Sequence, residues 1–81
     1  MEKRIGVIGL VIENRLETAP AVNEVLSQYG EMIVGRMGIP YRERGLSVMA
    51  LIVDGDTDQI GALTGKLGGI KGVRVKTALT T

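Results

Sequence analysis

Two similar apolar segments set the hydrophobic pattern of the chain. Residues 5–12 read IGVIGLVI and residues 46–53 read LSVMALIV. Continuous runs of this kind, rich in Val and Ile, are typical of strands covered on both faces. A second strand-like stretch follows in each half, EMIVGRMGIPY in the first and VRVKTAL in the second. The sequence therefore predicts four strands, near residues 4–12, 31–40, 46–54 and 72–79.

A helix is predicted between the first two strands. Its apolar residues recur at intervals of three or four, which places them on one helical face; they are Val22, Val25, Leu26 and Tyr29. Thr18 is predicted to cap this helix, because a threonine hydroxyl accepts hydrogen bonds from exposed backbone N–H groups. Pro20 would then lie in the first turn, where a helix needs no donor.

A second helix is predicted over residues 57–67, capped by Asp56 or Thr57. Gly61 and Gly65 are four positions apart and so lie on one face of this helix. Glycine is costly inside a helix. We therefore expect close packing of this face against the sheet or a neighbouring helix to offset the cost.

The element order β-α-β-β-α-β predicts a ferredoxin-like sandwich of the α+β class, as a single domain over residues 1–81. Its four strands form one antiparallel sheet with both helices on one face. Such a sheet should alternate apolar and polar residues, because its other face meets water. The two apolar segments do not alternate. We therefore expect a homo-oligomer, a dimer or tetramer, assembled through sheet faces and edges.

Composition removes several classes of function. The chain contains no cysteine and no histidine, so disulfides, zinc fingers and His-based catalysis are excluded. No spacing sets a nucleophile beside a base, and we expect no enzymatic activity, no cofactor and no metal site. The net charge of +1 argues against nucleic-acid binding. No apolar run approaches the roughly 20 residues of a membrane span, and no cleavage site follows the first one, so a cytoplasmic protein is expected.

The segment between the two middle strands concentrates unusual residues. GRMGIPYRERG, residues 35–45, holds three arginines, a tyrosine and a proline. Gly35 and Gly38 indicate a bulge or a close backbone approach, and Pro40 indicates a strand end or an edge. Three interpretations of the charges stay open: protection of an edge strand, ion pairing between subunits, and an anion or carboxylate site. The candidate ligand contacts in this segment are Arg36, Tyr41, Arg42 and Arg44.

The loop after the first strand supplies a fifth candidate, Asn14, with Arg15 beside it. Both precede a helix N-terminus, whose exposed amides attract anions. Glu13-Asn14-Arg15 followed by a helix resembles the start of an ACT domain, where an Asn/Asp-Arg-Pro-Gly turn leads into the helix. Here Leu16-Glu17 replaces Pro-Gly. The ACT resemblance implies a small regulatory ligand bound between subunits.

A closer resemblance covers essentially the whole chain. IVGRMGIPYRERGLSVMALIVD, residues 33–54, and LTGKLGGIKGVRVKT, residues 63–77, are similar to a family of small ACT-like regulators of the iron-only hydrogenase system. The fold of that family is similar to the C-terminal domain of nickel-responsive repressors. The nickel ligands of those repressors are His and Cys, which this chain lacks, and no DNA-reading segment is visible.

The resemblance implies a regulatory protein of the iron-only hydrogenase system. We expect an oligomeric, ACT-like domain that senses a small anionic ligand without catalysis. The alternative is an interaction adaptor that docks hydrogenase maturation enzymes and binds no small ligand.

Overall fold

The computed structural model describes residues 2–81, apart from the side chain of Arg15. Its element order is β-α-β-β-α-β, which confirms the predicted fold. The elements are β1 (Arg4–Glu13), α1 (Arg15–Gln28), β2 (Ile33–Tyr41), β3 (Leu46–Gly55), α2 (Thr57–Gly68) and β4 (Val73–Leu79). Short 3-10 turns, Gly30–Met32 and Arg42–Arg44, precede and follow β2. The first of these turns makes β2 start two residues later than predicted.

The four strands form one sheet in the order β2-β3-β1-β4, and every neighbouring pair is antiparallel. The two apolar segments thus become the central strands, as their composition predicts. Both helices pack on the same side of this sheet, where they form one aliphatic core with β1 and β3. The fully buried side chains of that core are Ile8, Val22, Leu51, Val53, Leu63 and Leu67.

The opposite side of the sheet, which we call the open face, is also apolar. No element of the described chain covers it. Its exposed aliphatic side chains come from three strands: Ile5, Val7, Met37, Ile39, Val48 and Ile52. The residues of β1 that alternate with these, such as Ile8, are completely buried. The predicted two-sided apolar sheet is therefore present, and one side of it faces solvent.

The start of α1 differs from its prediction. The helix begins at Arg15, so Thr18 lies inside it and is not the cap. Asn14 precedes the helix in the left-handed conformation, with φ of 48°, and its carbonyl accepts from the backbone N–H groups of Glu17 and Thr18. Asparagine adopts this conformation more readily than other non-glycine residues. Pro20 consequently lies within the helix, where its missing N–H leaves the Leu16 carbonyl without its helical partner.

The start of α2 follows its prediction. The Gln59 backbone N–H donates to the Asp56 carboxylate at 2.8 Å, and the Asp56 backbone N–H donates to the Gln59 side-chain oxygen at 3.0 Å. This reciprocal pair is a capping box.

The predicted close packing of Gly61 and Gly65 is wrong within the described chain. A Cβ placed on either residue would meet nothing within 4 Å. Both glycines lie on the solvent side of α2, because the residues that pack into the core, Ile60, Leu63 and Leu67, occupy the other side of the helix.

Candidate functional site

The arginine-rich segment forms a tight connection between β2 and β3. Arg42–Arg44 is a single 3-10 turn, and Gly45 closes it with φ of 68° while its N–H donates to the Arg42 carbonyl at 3.1 Å. A side chain at Gly45 would be strained in this conformation. The turn therefore holds Arg42 and Arg44 at one end of the sheet, next to the end of β1 and the start of α1.

A groove of about 530 Å³ lies at this end of the molecule. One wall comes from the start of α1 and the other from the β2–β3 connection. Its lining residues are Asn14, Leu16, Glu17, Pro40, Arg42, Gly45 and Leu46. Two of the five candidates, Asn14 and Arg42, are thus brought together from segments that are distant in the chain.

The groove combines polar and apolar groups. Arg42 forms no ion pair among the described residues, and the Asn14 side chain makes no capping hydrogen bond. Leu16 is 91% exposed although it is aliphatic, and Pro40 and Leu46 add further apolar surface. Glu17 places a carboxylate on the same rim. The arrangement suits a small molecule with an apolar body, an acidic group and a hydrogen-bond donor.

The other three candidates lie outside this groove. Arg36 pairs with Leu51 across the strands, on the helix side of the edge strand β2. Tyr41 pairs with Leu46 at the end of β2, on the same face of the strand as the open-face residues Met37 and Ile39. Arg44 belongs to the 3-10 turn but does not line the groove. The five candidates therefore do not form one site.

A β-bulge explains where Arg36 lies. Ile33 pairs with Val53, and Gly35 pairs with Ile52, which is adjacent to Val53 in the antiparallel strand β3. Val34 has no partner between them and is therefore an extra residue in β2. A one-residue insertion moves every later side chain to the opposite face of a strand. A bulge, one of the two alternatives that Gly35 and Gly38 indicated, is therefore present beside Gly35, with Val34 as the extra residue. It puts Arg36 on the helix side and Met37 on the open face.

The sequence indicated some of the groove but not its apolar wall. Leu16, Glu17 and Leu46 were not identified as site residues. Leu16 carried the one usable signal, because an apolar residue stands where the ACT turn has proline. Leu46 looked like an ordinary strand residue.

Two further basic residues lie outside the groove, on the open face. Arg74 and Lys76 lie on the edge strand β4, where edge protection accounts for them. Within the described residues, the one ion pair joins Arg74 to Glu13 at 3.7 Å. Among the same residues, no three metal-ligating side chains lie close enough together to hold a metal ion. Their helices are all too short or too polar to cross a membrane.

The fold and the groove define a small ferredoxin-like domain. The sequence identifies its family. The chain belongs to the TM1266-like family, described as "Iron-only hydrogenase system regulator, putative", whose model matches residues 4–77. The family description assigns a regulatory role in the iron-only hydrogenase system, and the resemblance of residues 33–54 and 63–77 is confirmed.

Solved structures agree with this assignment. The uncharacterized protein TM1266 from Thermotoga maritima is 44% identical, covers 99% of this chain and 100% of its own, and superposes with a TM-score of 0.95. An unknown protein from Galdieria sulphuraria is 14% identical with a TM-score of 0.67, over 99% of this chain and 46% of its own, and is similar in fold alone. A comparison with curated proteins finds no match.

Proposed function

We propose that this protein is an oligomeric, non-catalytic, ACT-like sensor that regulates the iron-only hydrogenase system by binding a small anionic ligand. The observation that carries the proposal is the groove in which Asn14 and Arg42 meet. A guanidinium group without an ion-pair partner favours a carboxylate or phosphate, which it binds through two parallel hydrogen bonds. The proposal places the protein in the cytoplasm, and the absence of cysteine is compatible with that compartment.

Glu17 narrows the class of ligand. Its carboxylate lines the same groove as Arg42, so a dianion would be repelled from one rim while it is attracted to the other. A ligand with one acidic group toward Arg42 and a hydrogen-bond donor toward Glu17 would be attracted to both side chains. The exposed side chain of Leu16 favours an apolar body between these two groups.

Regulation requires that the ligand distinguish two states of the protein, since equal affinity for both would shift nothing. The open face supports two states that differ in assembly, because its exposed aliphatic surface favours association. The groove lies where β2 ends and β3 begins, and both strands contribute to that face. Ligand binding would thereby favour one oligomeric arrangement of the sheets.

The open face also favours the second candidate function. An adaptor for hydrogenase maturation enzymes would use this apolar surface to dock its partner and would leave the groove empty. The two candidates differ in what the purified protein carries, because only the sensor retains a small molecule.

Native mass spectrometry of the protein purified gently from its own host tests the proposal. We expect an oligomer that carries a stoichiometric small molecule. The molecule should be lost from the Arg42→Ala variant, which removes the guanidinium from the groove. Arg36→Ala is the matched control, since it deletes the same group from the adjoining strand β2, outside the groove.

Two results would contradict the sensor. An Arg42→Ala variant that retains the molecule as well as the parent does would remove the groove as its site. A parent oligomer that carries no molecule would leave the adaptor as the better explanation. Circular dichroism of both variants confirms that their fold is intact.

A further inference from the structure

The side chains of the open face lie in rows that cross the four strands. In two adjacent rows, large and small side chains follow one another in opposite order. The strand register defines both rows. The first, which we call the Gly9 row, consists of Met37, Ala50, Gly9 and Lys76. The second, which we call the Val7 row, consists of Gly35, Ile52, Val7 and Ala78. The Gly9 row reads large, small, small, large, and the Val7 row reads small, large, large, small.

The small centre of the Gly9 row has no explanation inside the chain. Gly9 does not have positive φ, and a Cβ on it would meet nothing within 4 Å. Glycine weakens a strand interior and often marks a bulge, a bend or a close approach by another group. The pairing of Gly9 with both neighbouring strands is regular, so a bulge does not explain it. Gly6, on the covered side of the same strand, shows such an approach, since a Cβ there would lie 3.2 Å from the Ala78 carbonyl oxygen. No described residue makes the corresponding approach to Gly9.

We propose that the open face packs on the open face of a second copy, with the Gly9 row of each copy against the Val7 row of the other. This rests on the oligomer of the proposed function and specifies how it assembles. The two-fold axis lies in the plane of the interface, midway between the two rows and parallel to them. It sets each strand of one copy antiparallel over the same strand of the other copy. Met37 then faces Gly35, Ala50 faces Ile52, and the other two pairs follow in the same way. Within these two rows, every large side chain therefore meets a small residue.

Electrostatics favours the same axis. An axis through the Gly9 row itself would set Lys76 against its own copy, and like charges directly opposite are destabilising. The axis between the rows sets Lys76 against Ala78. The charged residues at the border of the open face, Glu13, Asp54 and Arg74, surround an aliphatic centre, as the polar rim of a stable interface surrounds its core.

The size of the face is sufficient for a dimer. Four strands about 4.8 Å apart and seven or eight residues at about 3.4 Å give roughly 450–500 Å² in projection. Side-chain relief raises the accessible area toward the roughly 800 Å² that each partner buries in a standard interface. An apolar patch of this size lies in the upper part of the range of about 300–600 Å² for the largest patch of a monomer, and such patches are often interaction sites. Two sheets packed in this way lie about 10 Å apart with their strands nearly aligned.

A size swap between the two rows tests the proposal by sedimentation velocity over a concentration series. Ala50→Ile fills the small centre of one row and should raise the dimer dissociation constant at least tenfold. The double variant A50I/I52A exchanges the two sizes within β3 and should bring the constant back to within about threefold of the parent, because the relief is again complementary. Ala62→Ile is the matched control, since it adds the same atoms to the exposed side of α2.

Each other outcome is informative. If Ala50→Ile associates as tightly as the parent and the Ala62→Ile control, the open face is not the interface. If Ala50→Ile weakens association but the double variant does not recover, the face is buried but the pairing of the rows is wrong. A parent that stays monomeric at every concentration overturns both this inference and the oligomer on which it rests. The ligand experiment on Arg42 separately decides the groove.

Discussion

The two helices occupy equivalent places in the two halves of the chain, yet they begin in different ways. α2 starts with a complete capping box, in which Asp56 and Gln59 satisfy each other's backbone donors. α1 starts after a left-handed Asn14, makes no side-chain cap and carries Pro20 inside. The regular start belongs to α2, none of whose residues lines the groove. The irregular start borders the groove that we propose as the ligand site.

Burial follows the same division. α2 places Ile60, Leu63 and Leu67 in the core at intervals of three and four. α1 buries Val22 and Leu26, and its first turn exposes a leucine instead of packing it. Four comparisons between variants test whether α2 contributes more to the stability of the fold than the start of α1 does.

The largest expected effect separates a leucine of α2 from one of α1. Leu63→Ala should lower the free energy of unfolding by about 2–5 kcal/mol, because Leu63 is completely buried and its removal leaves a cavity. Leu16→Ala should change the free energy by less than about 0.5 kcal/mol, because Leu16 is exposed. Urea denaturation measures both values. Equal losses would show that α1 is held by contacts that involve Leu16.

Pro20→Ala should make the start of α1 more regular and so more like that of α2. It restores an N–H donor for the Leu16 carbonyl and should raise the free energy of unfolding by about 1–2 kcal/mol, after allowance for the extra freedom of the unfolded chain. Thermal unfolding followed by circular dichroism measures the gain, and Ala21→Gly at the next position is a control for sensitivity to helix propensity. A loss of stability on Pro20→Ala would mean that the proline is needed to hold the start of α1.

Asp56→Ala should make the start of α2 resemble that of α1. Loss of the carboxylate that accepts from the Gln59 N–H should cost about 1 kcal/mol. Asp58→Ala removes the same charge from the first turn without removing a capping bond, and should cost less. Urea denaturation compares the two variants. If both cost the same, the capping box contributes only through its charge near the helix N-terminus.

Gly61→Ala tests the solvent side of α2 and has the smallest effect. Because a Cβ there meets nothing within 4 Å, alanine should raise the free energy of unfolding by about 0.5–1 kcal/mol through helix propensity alone. Thermal unfolding measures the gain. A loss that depends on protein concentration would instead indicate that another molecule packs against this side of the helix.

The fold could be predicted because its signals are local. The apolar runs of β1 and β3 and the Asp56 cap each specify an element from a few neighbouring residues. The start of α1 could not be predicted, because a distant segment fixes it. Gly72, with φ of 89°, accepts from the Glu13 N–H at 2.7 Å, and Thr18 is buried close to it. These contacts hold the end of β1 and Thr18 against the segment before β4, which local rules for a helix cap do not take into account.

The site could be predicted only in part for a similar reason. Asn14 and Arg42 were identified from their residue types, and the fold brings them to one groove. Arg36 belongs to another surface because the bulge at Val34 reverses the strand alternation. Glycines near residue 35 indicated a bulge, but not how many residues it would contain. The apolar wall that includes Leu46 appears only when the ends of two distant segments come together.

The scarcity of aromatic residues gives this protein two separate optical reporters. The chain has two tyrosines and no tryptophan or phenylalanine. Tyr29 packs against the core with the Lys66 ammonium 5.1 Å from its ring centre, whereas Tyr41 lies half exposed at the end of β2. Emission from a Tyr41→Phe variant would report Tyr29 alone and follow folding. Emission from a Tyr29→Phe variant would report Tyr41 alone and follow events beside the groove and the open face, without any attached dye.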